Sequence, residues 1–244
     1  MRGIGRLLFV LCACAMGCWL AAAQAAPEVQ TISRQSADAV DLVADWYAAA
    51  PGAPIVLSLH MLNSRRSAYE PLLLDLRAAG YAVLNVDMRG HGDSAGERDW
   101  DSVIADVGDW LAWLEAQGQL SDAGVTLLGA SIGANVAIIG CAEHAACRGA
   151  IALSPGLDYR GTQPESALAE RWAGRAALLI AAQADRGSAD SVRQLFASAG
   201  GDVTARILPG RAHGTRLFDS DYTTTSRLLL HWLGEHLPVP NKDS

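Results

Sequence analysis

The chain has 244 residues, 50% of them hydrophobic and 18% charged, with a formal net charge of -7. Such a length suits one α/β domain with a full core, and the acidic balance argues against a nucleic-acid partner. No CxxC pair and no HExxH motif occurs, so neither a metal site nor a cofactor is implied.

At the N-terminus, Arg2 and Arg6 precede an uncharged apolar run from Leu7 to Ala23, which leads into Ala23-Gln24-Ala25. This is the pattern of a secretory signal peptide. We expect residues 1–25 to be a signal and residues 26–244 to form the folded domain, in a periplasmic or secreted protein. Two other outcomes place it at a membrane. The apolar run sits at the lower edge of a bilayer span, so it can serve as an uncleaved anchor. Cys18 after Ala15-Met16-Gly17, or Cys14 after Leu11-Cys12-Ala13, is an imperfect lipidation pattern that would make a membrane-anchored lipoprotein. Lys242 is the only lysine and alanine is plentiful, a usage found in GC-rich bacterial genomes.

Residues 39–49 alternate well enough for an early, antiparallel strand, closed by the turn Pro51-Gly52-Ala53-Pro54. The run from Ile55 to His60 reads as a buried strand. A polar loop, Asn63 to Ser67, precedes a helix with the stripe Tyr69, Leu72, Leu73 and Leu76, stopped by Gly80. Tyr81 to Met88 is the next strand, followed by the glycine-rich loop Arg89 to Ser94. A helix from about Trp100 to Gln117 presents Val103, Val107, Trp110, Leu111 and Leu114 on one face.

Residues 125–140, VTLLGASIGANVAIIG, pass from an apolar strand through Gly129-Ala130-Ser131-Ile132-Gly133 into an alanine-rich helix. A serine hydroxyl is a weak nucleophile. It needs a tight strand-to-helix turn that lifts it toward a base, with small residues where strand and helix cross. A lone GxSxG proves little, but strand before and helix after give it the right context. Beyond this helix lie Cys141 and Cys147. Once Cys12, Cys14 and Cys18 are set aside with the signal they form an even pair, and an oxidising compartment then predicts a disulfide; two buried free thiols are the alternative.

Strands follow at Gly149 to Pro155, Ala176 to Ala182 and Val203 to Leu208. A polar connection with a short amphipathic piece, Glu165 to Trp172, separates the first two, and a helix from Ser188 to Ala199 separates the last two. The final helix runs from about Tyr222 to His236. This alternation predicts a mostly parallel, doubly wound α/β sheet with helices on both faces and function at the C-terminal strand ends.

Ser131, Asp185 and His213 each follow a different strand. His213 can act as the general base, and Asp185 can fix its tautomer. Asp158, after the preceding strand, is the rival acid. His144, His231 and His236 fall on or near helices, where surface or capping roles are ordinary. The oxyanion requires donors. One is the N–H of Ile132; the second is the N–H of Met61, ahead of Leu62, after the Ile55 to His60 strand.

The segment LHMLNSRRSAYEPLLLDLRAAGYAVLNVDMRGHGDSAG, the GASIG turn, Asp185 and the Ala-His-Gly around His213 resemble the α/β-hydrolase superfamily, particularly small bacterial serine esterases and dienelactone-hydrolase-like members. The resemblance covers about residues 39–236. It implies an α/β-hydrolase fold and a Ser-His-Asp triad, and it gives His60 and the Arg89-Gly90-His91-Gly92 turn a supporting role in shaping loops. Many members read His-Gly where this chain has His60-Met61. About 20 residues are available where others insert a helical lid, so a minimal cap and an open site are expected.

Arg65 and Arg66 could bind an anionic substrate group, although a solvated loop pair is the commoner arrangement. The reading is an exported serine hydrolase that cleaves a small-molecule or acyl ester through an acyl-enzyme. A thioesterase, peptidase or acyltransferase uses the same machinery, and a non-catalytic envelope binding protein is the alternative from another class.

Overall fold

The computed structural model describes residues 29–240. The expected signal segment, with Cys14 and Cys18, lies outside the described residues. Eight strands form one sheet: β1 (Val29–Gln35), β2 (Asp41–Tyr47), β3 (Ile55–Leu59), β4 (Ala82–Asp87), β5 (Val125–Ala130), β6 (Cys147–Leu153), β7 (Ala176–Ala182) and β8 (Asp202–Leu208). Their spatial order is β1-β2-β4-β3-β5-β6-β7-β8. β1 pairs with β2 and β2 with β4 in antiparallel fashion, while all pairs from β4 to β8 are parallel.

Helices cover both faces, and the two-residue period of the strands sorts their side chains between them. Val56, Val83, Leu128, Ile151 and Leu178 point to one face, where they pack with α1 (Glu70–Ala78) and α7 (Tyr222–His236). Leu57, Leu84, Leu127, Ala150 and Leu179 point to the other, toward α2 (Trp100–Ala116), α3 (Ile132–Glu143) and α5 (Arg186–Ser198). The inner strands β3, β4, β5 and β7 are buried along their whole length, which is why they read as near-continuous apolar runs, whereas the edge strand β8 is half-exposed.

The chain lays β4 on one side of β3 and β5 on the other. This reversal opens a crevice at the C-terminal ends of β3 and β5, the place where doubly wound sheets bind ligands. Ser131 and Met61 flank it. Between β6 and β7 there is only a short α4 (Glu165–Glu170) and one Tyr159–Thr162 bridge, so the cap is minimal, as expected.

Three elements depart from the sequence reading. β1 was not expected: it is an edge strand in which Ile32 alone is buried, so it carries almost no hydrophobic alternation. A 3-10 turn over Arg66–Tyr69 precedes α1. The five-residue α6 (Arg216–Ser220) is too short to show a period, although Leu217 and Phe218 are buried. Cys141 and Cys147 are joined in a disulfide linking the last turn of α3 to the start of β6.

Candidate active site

Ser131 is the N-cap of α3, at φ 54° and ψ -121°. A positive φ is uncommon for a side chain with a β-carbon, and the neighbouring glycines show why the turn tolerates it. A β-carbon on Gly129 would fall 2.0 Å from the carbonyl oxygen of Gly133, and one on Gly133 would fall 2.4 Å from those of Leu59 and His60. This strand-to-helix turn is therefore packed backbone-to-backbone against the end of β3. Ser131 N–H donates to Leu153 O at 2.8 Å, which ties the turn to β6 as well.

His213 Nε2 lies 2.8 Å from Ser131 Oγ, and His213 Nδ1 lies 2.7 Å from Asp185 Oδ2. A carboxylate only accepts, so Nδ1 carries the proton and Nε2 is left to receive that of the serine. The three residues expected from the strand ends thus come together in one line of hydrogen bonds. Asp158 does not join them. It is exposed and accepts from Gly161 N–H at 2.7 Å and Gln163 Nε2 at 2.8 Å, bonds that hold its carboxyl below the usual range. His144 closes α3, while His231 and His236 sit on α7 beside Glu235 and Asp202.

As the first residue of a helix, Ile132 has an N–H with no intrahelical acceptor. Met61 is the second residue of the loop after β3, and its position is fixed through its carbonyl and its side chain. The Met61 sulfur lies 3.8 Å from Thr215 Oγ1, beside the histidine loop. Met88 N–H donates to His60 Nε2 at 3.0 Å, so His60 holds its proton on Nδ1 and donates it to Met61 O at 2.8 Å. Burial pushes His60 down to about 4, with the Met61 carbonyl opposing that shift. His60 is thus a neutral strut for this loop, and His91 packs edge-on against it at 5.0 Å. Arg89, in the same glycine-rich turn, is clamped between Asp106 and Asp38.

Arg66 is neither a solvated residue nor an available anion ligand. Its guanidinium bonds to Asp45 at 2.8 Å and Asp93 at 2.9 Å and pairs closely with Asp87. Asp87 is fully buried and also accepts the N–H groups of Arg66 at 2.7 Å and Asp93 at 2.8 Å. The end of β4 thereby pins the loops that follow β3 and β4. Arg65 remains exposed.

Three residues near the imidazole were not anticipated. Ser154, at the end of β6, is fully buried at φ 54°, and its hydroxyl accepts Gly214 N–H at 2.9 Å. Ser188 Oγ lies 3.4 Å from His213 Nδ1, and Tyr159 Oη lies 3.3 Å from Ser188 Oγ. Burial raises the Tyr159 phenol, so it stays a donor at neutral pH. Ser154 had a signal of its own, since it directly follows a buried strand, as Ser131 does.

An open cleft of about 610 Å³ lies beside this centre, bordered by Met61, Glu70, Thr215 and Asp219. Among the described residues no cluster of three potential metal ligands occurs.

Solved structures share this architecture. An esterase from Pyrococcus furiosus superposes with a TM-score of 0.73 at 19% identity, covering 86% of this chain and 91% of that one. A dienelactone hydrolase from Anabaena variabilis gives a TM-score of 0.71 at 21% identity, over 87% of this chain and 99% of that one. The human protein ABHD12B is 36% identical over 96 residues, a match that takes in 38% of this chain and 26% of that protein. Residues 50–183, more than half of the chain, match the model of the serine aminopeptidase S33 family, so the chain belongs to that family of α/β-hydrolase-fold serine hydrolases.

Proposed function

We propose that the protein is an exported serine hydrolase that cleaves carboxylic esters through an acyl-enzyme. Ser131 Oγ attacks the carbonyl carbon and passes its proton to His213 Nε2, while Asp185 holds the imidazole and balances its charge. The N–H groups of Ile132 and Met61 receive the oxyanion. The intermediate collapses as Nε2–H protonates the departing alcohol. Water, deprotonated by the same nitrogen, then releases the acid and returns the proton to Ser131.

The observation that carries this reading is the continuous line Ser131 Oγ, His213 Nε2, His213 Nδ1, Asp185 Oδ2, with spacings of 2.8 and 2.7 Å. The disulfide supports an oxidising compartment, and hence export. The small cap supports access for bulky esters.

Labelling with a fluorophosphonate probe, lost in Ser131→Ala, is the expected result; a folded wild type that takes no label overturns the proposal. Amide cleavage is the second reading, favoured by the family's description and by Glu70 and Asp219 in the cleft beside Met61, which could receive a free α-amino group. Comparing p-nitrophenyl esters with aminoacyl p-nitroanilides separates the two. Faster turnover of the anilides would replace esterase with aminopeptidase.

A further inference from the structure

The connection from β6 to β7 is short, but it is firmly bonded and it brings a phenol to the imidazole. Asn135, fully buried on α3 one turn beyond Ser131, donates to Thr162 O at 2.8 Å and accepts Gly156 N–H at 3.1 Å. Tyr159 and Thr162 exchange backbone hydrogen bonds at 3.2 and 3.0 Å, and Thr162 Oγ1 donates to Tyr159 O at 2.7 Å. The Tyr159 ring lies directly over Gly156, where a β-carbon would come within 2.6 Å of it. Its centroid is 6.4 Å from that of His213, with the planes at 83°.

The bonds around His213 have one consistent direction. Nδ1–H, given mainly to Asp185, also faces Ser188 Oγ at 3.4 Å. The Ser188 hydroxyl can then donate to Tyr159 Oη at 3.3 Å, and Tyr159 donates to Ser154 O at 3.4 Å. Ser154 closes the ring through its own hydroxyl, which accepts the N–H of Gly214, the residue after His213.

We propose that Tyr159 and Ser188 are positioning residues for His213, forming a second restraint on the imidazole beside Asp185. The proposal rests on the reading of His213 as the base. The bonds of this chain are long in the resting site. Hydrogen bonds from a charged donor are shorter and stronger, so the chain tightens when the imidazole becomes an imidazolium. Its contribution therefore falls on kcat and leaves KM alone.

The test is p-nitrophenyl ester hydrolysis by the full chain carrying Tyr159→Phe, Ser188→Ala or both. Each single variant should lower kcat about tenfold, the effect of one hydrogen bond, with KM within twofold of wild type. The double variant should be no worse than either single one, because both cut the same chain. Tyr159→Phe keeps the ring over Gly156, and circular dichroism checks its fold. A kcat for Tyr159→Phe within twofold of wild type overturns the proposal, as do losses that multiply in the double variant or that appear in KM. A wild type with neither turnover nor fluorophosphonate labelling would instead bring down the underlying reading of Ser131 and His213. An active, labelled wild type alongside an unaffected Tyr159→Phe removes the positioning role alone.

Discussion

The buried hydroxyl of Ser154 accepts the backbone N–H of Gly214 at 2.9 Å, so the end of β6 holds the residue that follows His213. Ser154→Ala keeps the carbonyl that Tyr159 uses but leaves the Gly214 N–H buried without a partner. Such a loss costs about 1–3 kcal/mol and frees the histidine loop. The urea midpoint should fall and kcat should drop about tenfold, at one hydrogen bond's worth of barrier, with KM little changed. A lower midpoint with unaltered kcat would show that the bond is structural only.

Gly133 carries a different constraint. Its β-carbon would meet two backbone carbonyl oxygens of β3 and its following loop, and backbone cannot swing aside as a flexible side chain can. Gly133→Ala must push the turn at Ser131 away from Leu59 and His60, and so change the spacing between Ile132 and Met61, the proposed oxyanion donors. A displacement of about 1 Å costs on the order of 100-fold in rate, so kcat/KM should fall by about that factor and fluorophosphonate labelling should slow. Gly234→Ala is the control. It lies in α7 with open space around it, and should gain about 0.5–1 kcal/mol with full activity.

How far the sequence discloses this site depends on whether a residue's role is local. Ser131, Asp185 and His213 stand after apolar strands with turn residues behind them, so chain order alone brings them to one edge of the sheet. Arg66 is different. Its partners Asp45, Asp87 and Asp93 come from two strands and a separate loop, and nothing within a short window of sequence distinguishes that cluster from a solvated pair. Tyr159 lies in a segment with no periodicity, and Ser188 in the first turn of an amphipathic helix, where a serine looks ordinary. The folds of both segments around Asn135 and Asp185 give those hydroxyls their meaning. β1 carries no such signal for a thermodynamic reason, since an edge strand with a single buried side chain owes its pairing to backbone bonds that any sequence supplies.

Stability should depend on pH through His60. The unfolded chain binds a proton there below about 6.5, while the folded protein does so only below about 4, because the ring is buried and Nε2 must accept Met88 N–H. Between those values the unfolded state binds more protons, so stability is complete above pH 6.5 and falls as the pH drops toward 4, by up to about 3 kcal/mol. His91, also lowered by burial, adds in the same direction. Urea midpoints at pH 7.5, 6.5, 5.5 and 4.5 should decline for the wild type and decline less steeply for His60→Gln. Parallel curves for the two proteins would show that His60 does not carry the effect.

The disulfide should govern stability and leave catalysis nearly untouched. Cys141 and Cys147 are six residues apart in sequence, and closing so short a loop stabilises by about 2 kcal/mol on the chain-entropy account. For a domain of this size that corresponds to roughly 5 °C in Tm. The bond sits at the N-terminal end of β6, whereas Ser154 and the imidazole lie at the opposite end of the sheet, so its loss does not reach the reacting groups directly. Dithiothreitol should lower the Tm of the wild type by about that amount and leave kcat at 25 °C unchanged. The double variant Cys141→Ser/Cys147→Ser should melt at the lower temperature with or without reductant. Mass spectrometry after alkylation of the unreduced, denatured protein should find neither cysteine modified, and alkylation of both would show that the pair is not bonded in solution. A fall in kcat that tracks reduction would mean that strain at the start of β6 is transmitted along the strand to Ser154.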